Sequence, residues 1–169
     1  RNLMIDLYAL TPRSLVEGLR RRLKKSLGQN FLIDENITRT IATQVDRLHP
    51  GHILEIGPGA GALTLALSSL QKPITVIEKD DDCARYVERI FSENVANFNV
   101  IHGDALNAPL PDFCSQSDAR TVLASNLPYN VASQIYFRFI DEDLPLAGMV
   151  LMFQREVALR FIAKPATSA

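Results

Sequence analysis

From His52 onward the chain repeats one alternation: a short β-branched apolar run, then a longer amphipathic one. The runs "HILEI", "ITVIE", "FNVIHGDA", "TVLASN" and "GMVLMF" read as strands. Between and after them, "ALTLALSSL", "DDDCARYVERIFSE", "ASQIYFRFI" and "REVALRFIA" read as helices, the last stopped by Pro165. Five strands alternating with helices predict a doubly wound α/β fold. Its sheet is mostly parallel, joined by right-handed crossovers, with helices on both faces. The stretch 107–119, with its acids and prolines, reads as a surface loop.

Two helices precede this alternation. Thr11-Pro12 starts the first, which is expected to run to about Lys24. A loop, "SLGQNFLID", leads to Asp34, the cap of a second helix whose Ile37, Ile41, Val45 and Leu48 are expected to form its inner face. Pro50-Gly51 ends it. Two parts follow from this reading: residues 1–33, a basic helix and loop, and residues 34–169, the α/β domain.

Composition narrows the function classes. A chain of 169 residues, 47% hydrophobic and 22% charged, fits one domain with a real core. Its apolar runs are too short for a membrane span, and its first residues too short for a signal peptide. Cys83 and Cys114 have no paired spacing and read as reduced thiols of a cytoplasmic protein. His49, His52 and His102 have no ligand-spaced partners, so no metal is expected. A net charge of −1 argues against a protein that coats nucleic acid generally. Locally, "RRRLKK" concentrates Arg20, Arg21, Arg22, Lys24 and Lys25 beside the stripe Leu15, Leu19 and Leu23. Such a face is either a solvated surface or a phosphate-contacting edge, and these five cations are the candidates for RNA contact.

The segment "EIGPGAG" lies where the first strand turns into a helix. Gly57 and Gly59 permit a tight turn and close approach of a ligand, and Gly61 permits close helix packing. Glu78, twenty-one residues after Gly57, ends the second strand and can accept hydrogen bonds from two ribose hydroxyls. Two ligands fit: a dinucleotide, because Gly57, Gly59 and Ala62 match G-x-G-x-x-A, or an adenosyl cofactor without a pyrophosphate. Pro58 favours the second, since it removes an N–H that a phosphate would use. Asp104, after the third strand, can accept from an adenine amino group.

The fourth strand ends in "SNLPYN". The Asn126 amide is an acceptor, Pro128 holds Leu127 extended, and Tyr129 offers a flat face. An exocyclic base amine is a poor nucleophile because its lone pair is delocalised into the ring. Two acceptors gripping its N–H bonds would turn that lone pair toward an electrophile. Stacking on Tyr129 would hold the base once it had left its helix.

"LGQNFLID", "EIGPGAGALT", "VIEKD", "GDA" and "SNLPYN", in this order and at these separations, resemble the KsgA-type ribosomal RNA adenine dimethyltransferases. The resemblance covers about residues 20–164. It implies a Rossmann-like, S-adenosyl-L-methionine-dependent methyltransferase fold. It also implies N6,N6-dimethylation of two adjacent adenosines near the 3′ end of small-subunit rRNA during ribosome biogenesis. Asn30, Leu32, Gly57, Gly59, Glu78, Asp104 and Asn126 match cofactor-contacting positions. Asn126, Leu127, Pro128 and Tyr129 match the catalytic motif. Small-subunit rRNA is the expected partner, and the full-length protein is expected to be a monomer. Family members continue with two further strands and a small helical domain, whereas this sequence ends at "KPATSA". It therefore reads as a fragment, whose "GMVLMF" edge is expected to favour self-association. Two other readings are a large-subunit rRNA methyltransferase of the antibiotic-resistance type and a methyltransferase-fold assembly factor.

Overall fold

A five-stranded parallel sheet organises the described residues. The structure, a computed structural model, describes residues 5–23, 33–108, 120–127, 129–142 and 146–152. The strands are β1 (His52–Ile56), β2 (Ile74–Glu78), β3 (Phe98–His102), β4 (Thr121–Ser125) and β5 (Leu146–Leu151). Their order is β3-β2-β1-β4-β5, and every pair is parallel. The chain steps outward from β1 in one direction, then returns to lie on its other side, which opens a crevice between β1 and β4 at their C-terminal ends.

The helices are α1 (Pro12–Leu23), α2 (Glu35–Arg47), α3 (Ala62–Ser68), α4 (Asp81–Phe91) and α5 (Tyr129–Asp141), with a 3-10 turn at Leu7–Ala9. Strand alternation divides the core in two. Ile53, Ile74, Val76, Val122 and Ala124 face a layer built from α1 to α4. Leu54, Ile56, Ile77 and Leu123 face Ile135 and Phe139 of α5 and the alanines at 105 and 108. Helices thus cover both faces, as the alternation predicts. Phe91 is fully buried, so its truncation to Ala would cost about 3–5 kcal/mol.

Local chemistry sets the helix ends. Asp34 accepts from the N–H groups of Asn36 and Ile37, and Asp80 from those of Asp82 and Cys83. The inner face of α2 differs from expectation. Thr38, Ile41, Ala42 and Val45 are its buried residues, while Ile37 is exposed and Leu48 is only half-buried, past the helix end. Small Thr38 and Ala42 let α2 lie close to α3, which rotates the stripe away from Ile37. On α1, Leu15 and Leu19 are buried as expected. Gly18 lets α1 approach α4: an added Cβ would stand 2.4 Å from the Tyr86 hydroxyl, which donates to the Leu15 carbonyl at 2.9 Å. These α1 residues share one core cluster with the sheet. At the opposite end from the crevice, His52 bridges β2 and β4, its ring nitrogens 2.9 Å from Thr75 Oγ1 and 3.2 Å from Thr121 Oγ1.

Candidate functional site

Strand register assembles the sequence motifs into one row. Ile56 pairs with Ile77 on one side and Ser125 on the other. One residue beyond that line come Gly57, Glu78 and Asn126. Asp104 follows β3, whose His102 pairs with Glu78. Read across the rim, the order is Asp104, Glu78, Gly57, Asn126.

The glycine turn is held from both sides. Gly57, Gly59 and Gly61 have φ of 68°, 56° and 87°, a region that disfavours side chains. An added Cβ on Gly57 would stand 2.4 Å from Leu127 Cδ2, so Leu127 packs directly on the turn. The Gly57 N–H donates to the Ile77 carbonyl at 2.9 Å, and the Ser125 hydroxyl donates to the Ile56 carbonyl at 2.9 Å. Gly61 lies against Phe91 of α4, 2.6 Å from where its Cβ would be. Close helix packing at Gly61 is as expected.

Glu78 is buried at the end of β2. Its Oε2 accepts the Gly59 N–H and its Oε1 the Asp80 N–H, both at 2.9 Å. Each oxygen keeps a further lone pair for an incoming hydroxyl. Asp104 Oδ1 accepts the Leu106 N–H at 3.0 Å, and Oδ2 accepts from Lys79 Nζ at 2.8 Å. The Lys79 ammonium is the main reason its carboxyl lies below the ordinary range, with the Leu106 N–H adding to the effect. The carboxylate therefore stays an acceptor at neutral pH.

Asn126 and Leu127 are half-buried at the mouth of β4, and α5 begins at Tyr129. Arg20, Arg21 and Arg22 are exposed on the last turn of α1. Asn30, Leu32, Lys24, Lys25 and Pro128, expected at the site, lie outside the described residues, as does Cys114. Cys83 is fully buried, and burial first, with nearby acids, pushes its thiol far up, so it is an inert core group. A groove of about 1260 Å³ along α2 and α3, lined by Leu7, Tyr8, Thr38, Leu65 and Val95, includes none of the rim residues. No helix among the described residues is long and apolar enough to cross a membrane.

Residues 20–169 match the family model described as "Ribosomal RNA adenine dimethylase". The chain belongs to that family. A ribosomal RNA small subunit methyltransferase A from Chlorobium phaeobacteroides is 41% identical over 145 residues, 86% of this chain and 52% of that protein. A probable counterpart from Methanothermobacter thermautotrophicus is 41% identical over 165 residues, 97% of this chain and 56% of that one. The chain spans about half the length of the curated relatives it matches. Among solved structures, a dimethyladenosine transferase from Plasmodium falciparum aligns with TM-score 0.58 and 29% identity, over 78% of this chain and 46% of that one. The 23S rRNA methyltransferase ErmE aligns with TM-score 0.59 and 25% identity, over 77% and 50%. The Rossmann-like methyltransferase fold expected from the motifs is the fold of this family chain.

Three features escaped the motif reading. Glu55, inside the apolar run "HILEI", is buried and hydrogen-bonded to Thr64. Lys79 reaches Asp104. Arg138, a lone cation in "YFRFI", reaches back to the loop after β3. A charge inside an apolar run was the available signal for Glu55 and Arg138. Their partners were not legible, because these lie 9 to 33 residues away.

Proposed function

We propose that this chain is the cofactor-binding, catalytic part of an rRNA adenine N6,N6-dimethyltransferase acting on two adjacent adenosines near the 3′ end of small-subunit rRNA. The observation that carries this reading is the row Asp104, Glu78, Gly57, Asn126 along the C-terminal rim. Neighbouring strands are about 4.8 Å apart, so the row is about 14 Å long, the scale of an extended adenosyl amino acid. Asp104 suits the adenine amine and Glu78 the ribose hydroxyls. The Cβ-free turn at Gly57 gives room for the amino-acid end, and Asn126 stands last, where the target amine would enter.

When bound, S-adenosylmethionine supplies a methyl group that is already activated. The chain's residues then need only align and hold. The Asn126 amide oxygen and a main-chain carbonyl of the same loop accept the two N–H bonds of the target amine, leaving its lone pair free to attack. Tyr129 supports the base. Orientation of this kind contributes up to about 7–11 kcal/mol. The proton on the methylated amine passes to water. The exposed arginines of α1 contribute phosphate contact. Identity of 41% to proteins named for the small subunit favours that target over the large subunit.

Two assays test the reading. Calorimetry on this chain should give saturable binding of S-adenosylmethionine and none of NAD. Primer extension on undermethylated small-subunit particles, treated with the full-length protein, should map two adjacent dimethylated adenosines. Modification of large-subunit rRNA instead would overturn the assignment of target, and failure to bind S-adenosylmethionine would overturn the whole reading.

A further inference from the structure

We propose that Arg138 is a positioning residue that holds Asp104 at the adenine end of the cofactor site; the inference rests on the cofactor reading above. After β3 the chain makes one tight turn beginning at Asp104. The Asp104 carbonyl accepts the N–H groups of Asn107 and Ala108 at 2.9 and 2.8 Å, and its carboxylate accepts that of Leu106. The last carbonyls of such a turn have no partner within the turn itself. Arg138, from the last turn of α5, supplies both donors. One of its terminal nitrogens donates to the Ala105 carbonyl, and the other to the Ala108 carbonyl at 2.6 Å. Its Nε donates to Glu142 Oε1 at 2.8 Å, which aims the guanidinium.

The contact is built for position. The Arg138 side chain is only 15% exposed, and Ala105 and Ala108 are buried against Ile135 and Phe139 of the same helix. The planar fork spans two carbonyls at once, which a single ammonium cannot reproduce with the same geometry. Asp104 starts the turn that Arg138 clamps, so rotation of the turn would move its carboxylate. The helix that begins at Tyr129 thereby fixes the group proposed to read the adenine amine.

The test compares two ligands by calorimetry: S-adenosylhomocysteine and its inosine counterpart, in which a carbonyl replaces the 6-amino group. The wild-type chain should prefer the adenine form. Arg138→Met should weaken S-adenosylhomocysteine about tenfold, the scale of one misaligned charged hydrogen bond, and leave the inosine form nearly unchanged. Arg138→Lys should restore part of the preference. Glu142→Gln, a change at a more exposed position, should shift the preference the same way by less and covers the case in which Arg138→Met does not fold. Equal weakening of both ligands, or an intact preference in Glu142→Gln and Arg138→Lys, would overturn the role of Arg138. A wild-type chain that binds neither ligand would instead overturn the cofactor reading, and one that binds both equally would remove Asp104 as the reader of the amine.

Discussion

Glu55 and Thr64 share a hydrogen bond of 2.7 Å inside the core, joining the end of β1 to the first turn of α3 beneath the glycine turn. Burial pushes the Glu55 carboxyl up to about 8; the Thr64 bond opposes this only in part, and Glu78 adds to it. The unfolded chain releases that proton near 4.5. Between these values unfolding releases a proton, so this contribution to stability is full below about 4.5 and is lost as pH rises through about 8. Glu55→Gln should flatten that slope. In thermal melts at pH 8 the variant should equal or exceed wild type, by up to a few kcal/mol, each worth about 2–4 °C. Equal slopes for both chains would show that Glu55 is not the titrating group.

His52 should act in the opposite direction. Burial lowers its basicity below the ordinary 6.5, so the folded chain resists the proton that the unfolded chain takes up. Stability should therefore fall as pH drops below about 6.5. Because Glu55 acts in an overlapping range, the measurable quantity is the difference between wild type and His52→Gln. That difference should narrow from pH 7 to pH 5.

Gly57→Ala meets two obstacles at once: a φ of 68° and Leu127 Cδ2 at 2.4 Å. The backbone alone costs about 1–2 kcal/mol. Calorimetry should show lost S-adenosylhomocysteine affinity together with a lower Tm. Gly103→Ala is the control, since an added Cβ there has nothing within 4 Å. It should leave both quantities near wild type.

Substitution of the base-side motif should separate chemistry from cofactor binding. Asn126→Ala should abolish methyl transfer in the full-length protein while leaving S-adenosylhomocysteine affinity within about threefold, under 1 kcal/mol. Tyr129→Ala should lower turnover by the loss of stacking, about 1–3 kcal/mol, again with the cofactor still bound.

Neutralising Arg20, Arg21 and Arg22 should weaken RNA binding and flatten its salt dependence. Each lost phosphate contact lowers the log–log slope by about 0.9 on a duplex. Fluorescence anisotropy across a salt series measures it, and an unchanged slope would mean these exposed residues form only a solvated face.

Much of the fold was legible because its signals are local. β1, β2 and the Asp34 cap lie where periodicity and capping chemistry place them. The α2 face was misjudged because Ile37 has the right spacing, yet Thr38 and Ala42 allow the closer approach. No local pattern distinguishes those two stripes. The rim residues were legible one by one, since each ends or follows a strand. Their engagement was not: the Gly59 N–H on Glu78 and the Lys79 ammonium on Asp104 both cross between elements.

The sequence by itself determined which segments become strands and helices, where strands end in chemistry-bearing residues, and which family the chain resembles. These depend on spacing along the chain, which periodicity and motif order record directly. Only the tertiary structure decided who meets whom: Leu127 on Gly57, Glu55 on Thr64, Arg138 on the turn that begins at Asp104. Such pairings are set by strand register and helix rotation, where a shift of one residue exchanges every partner.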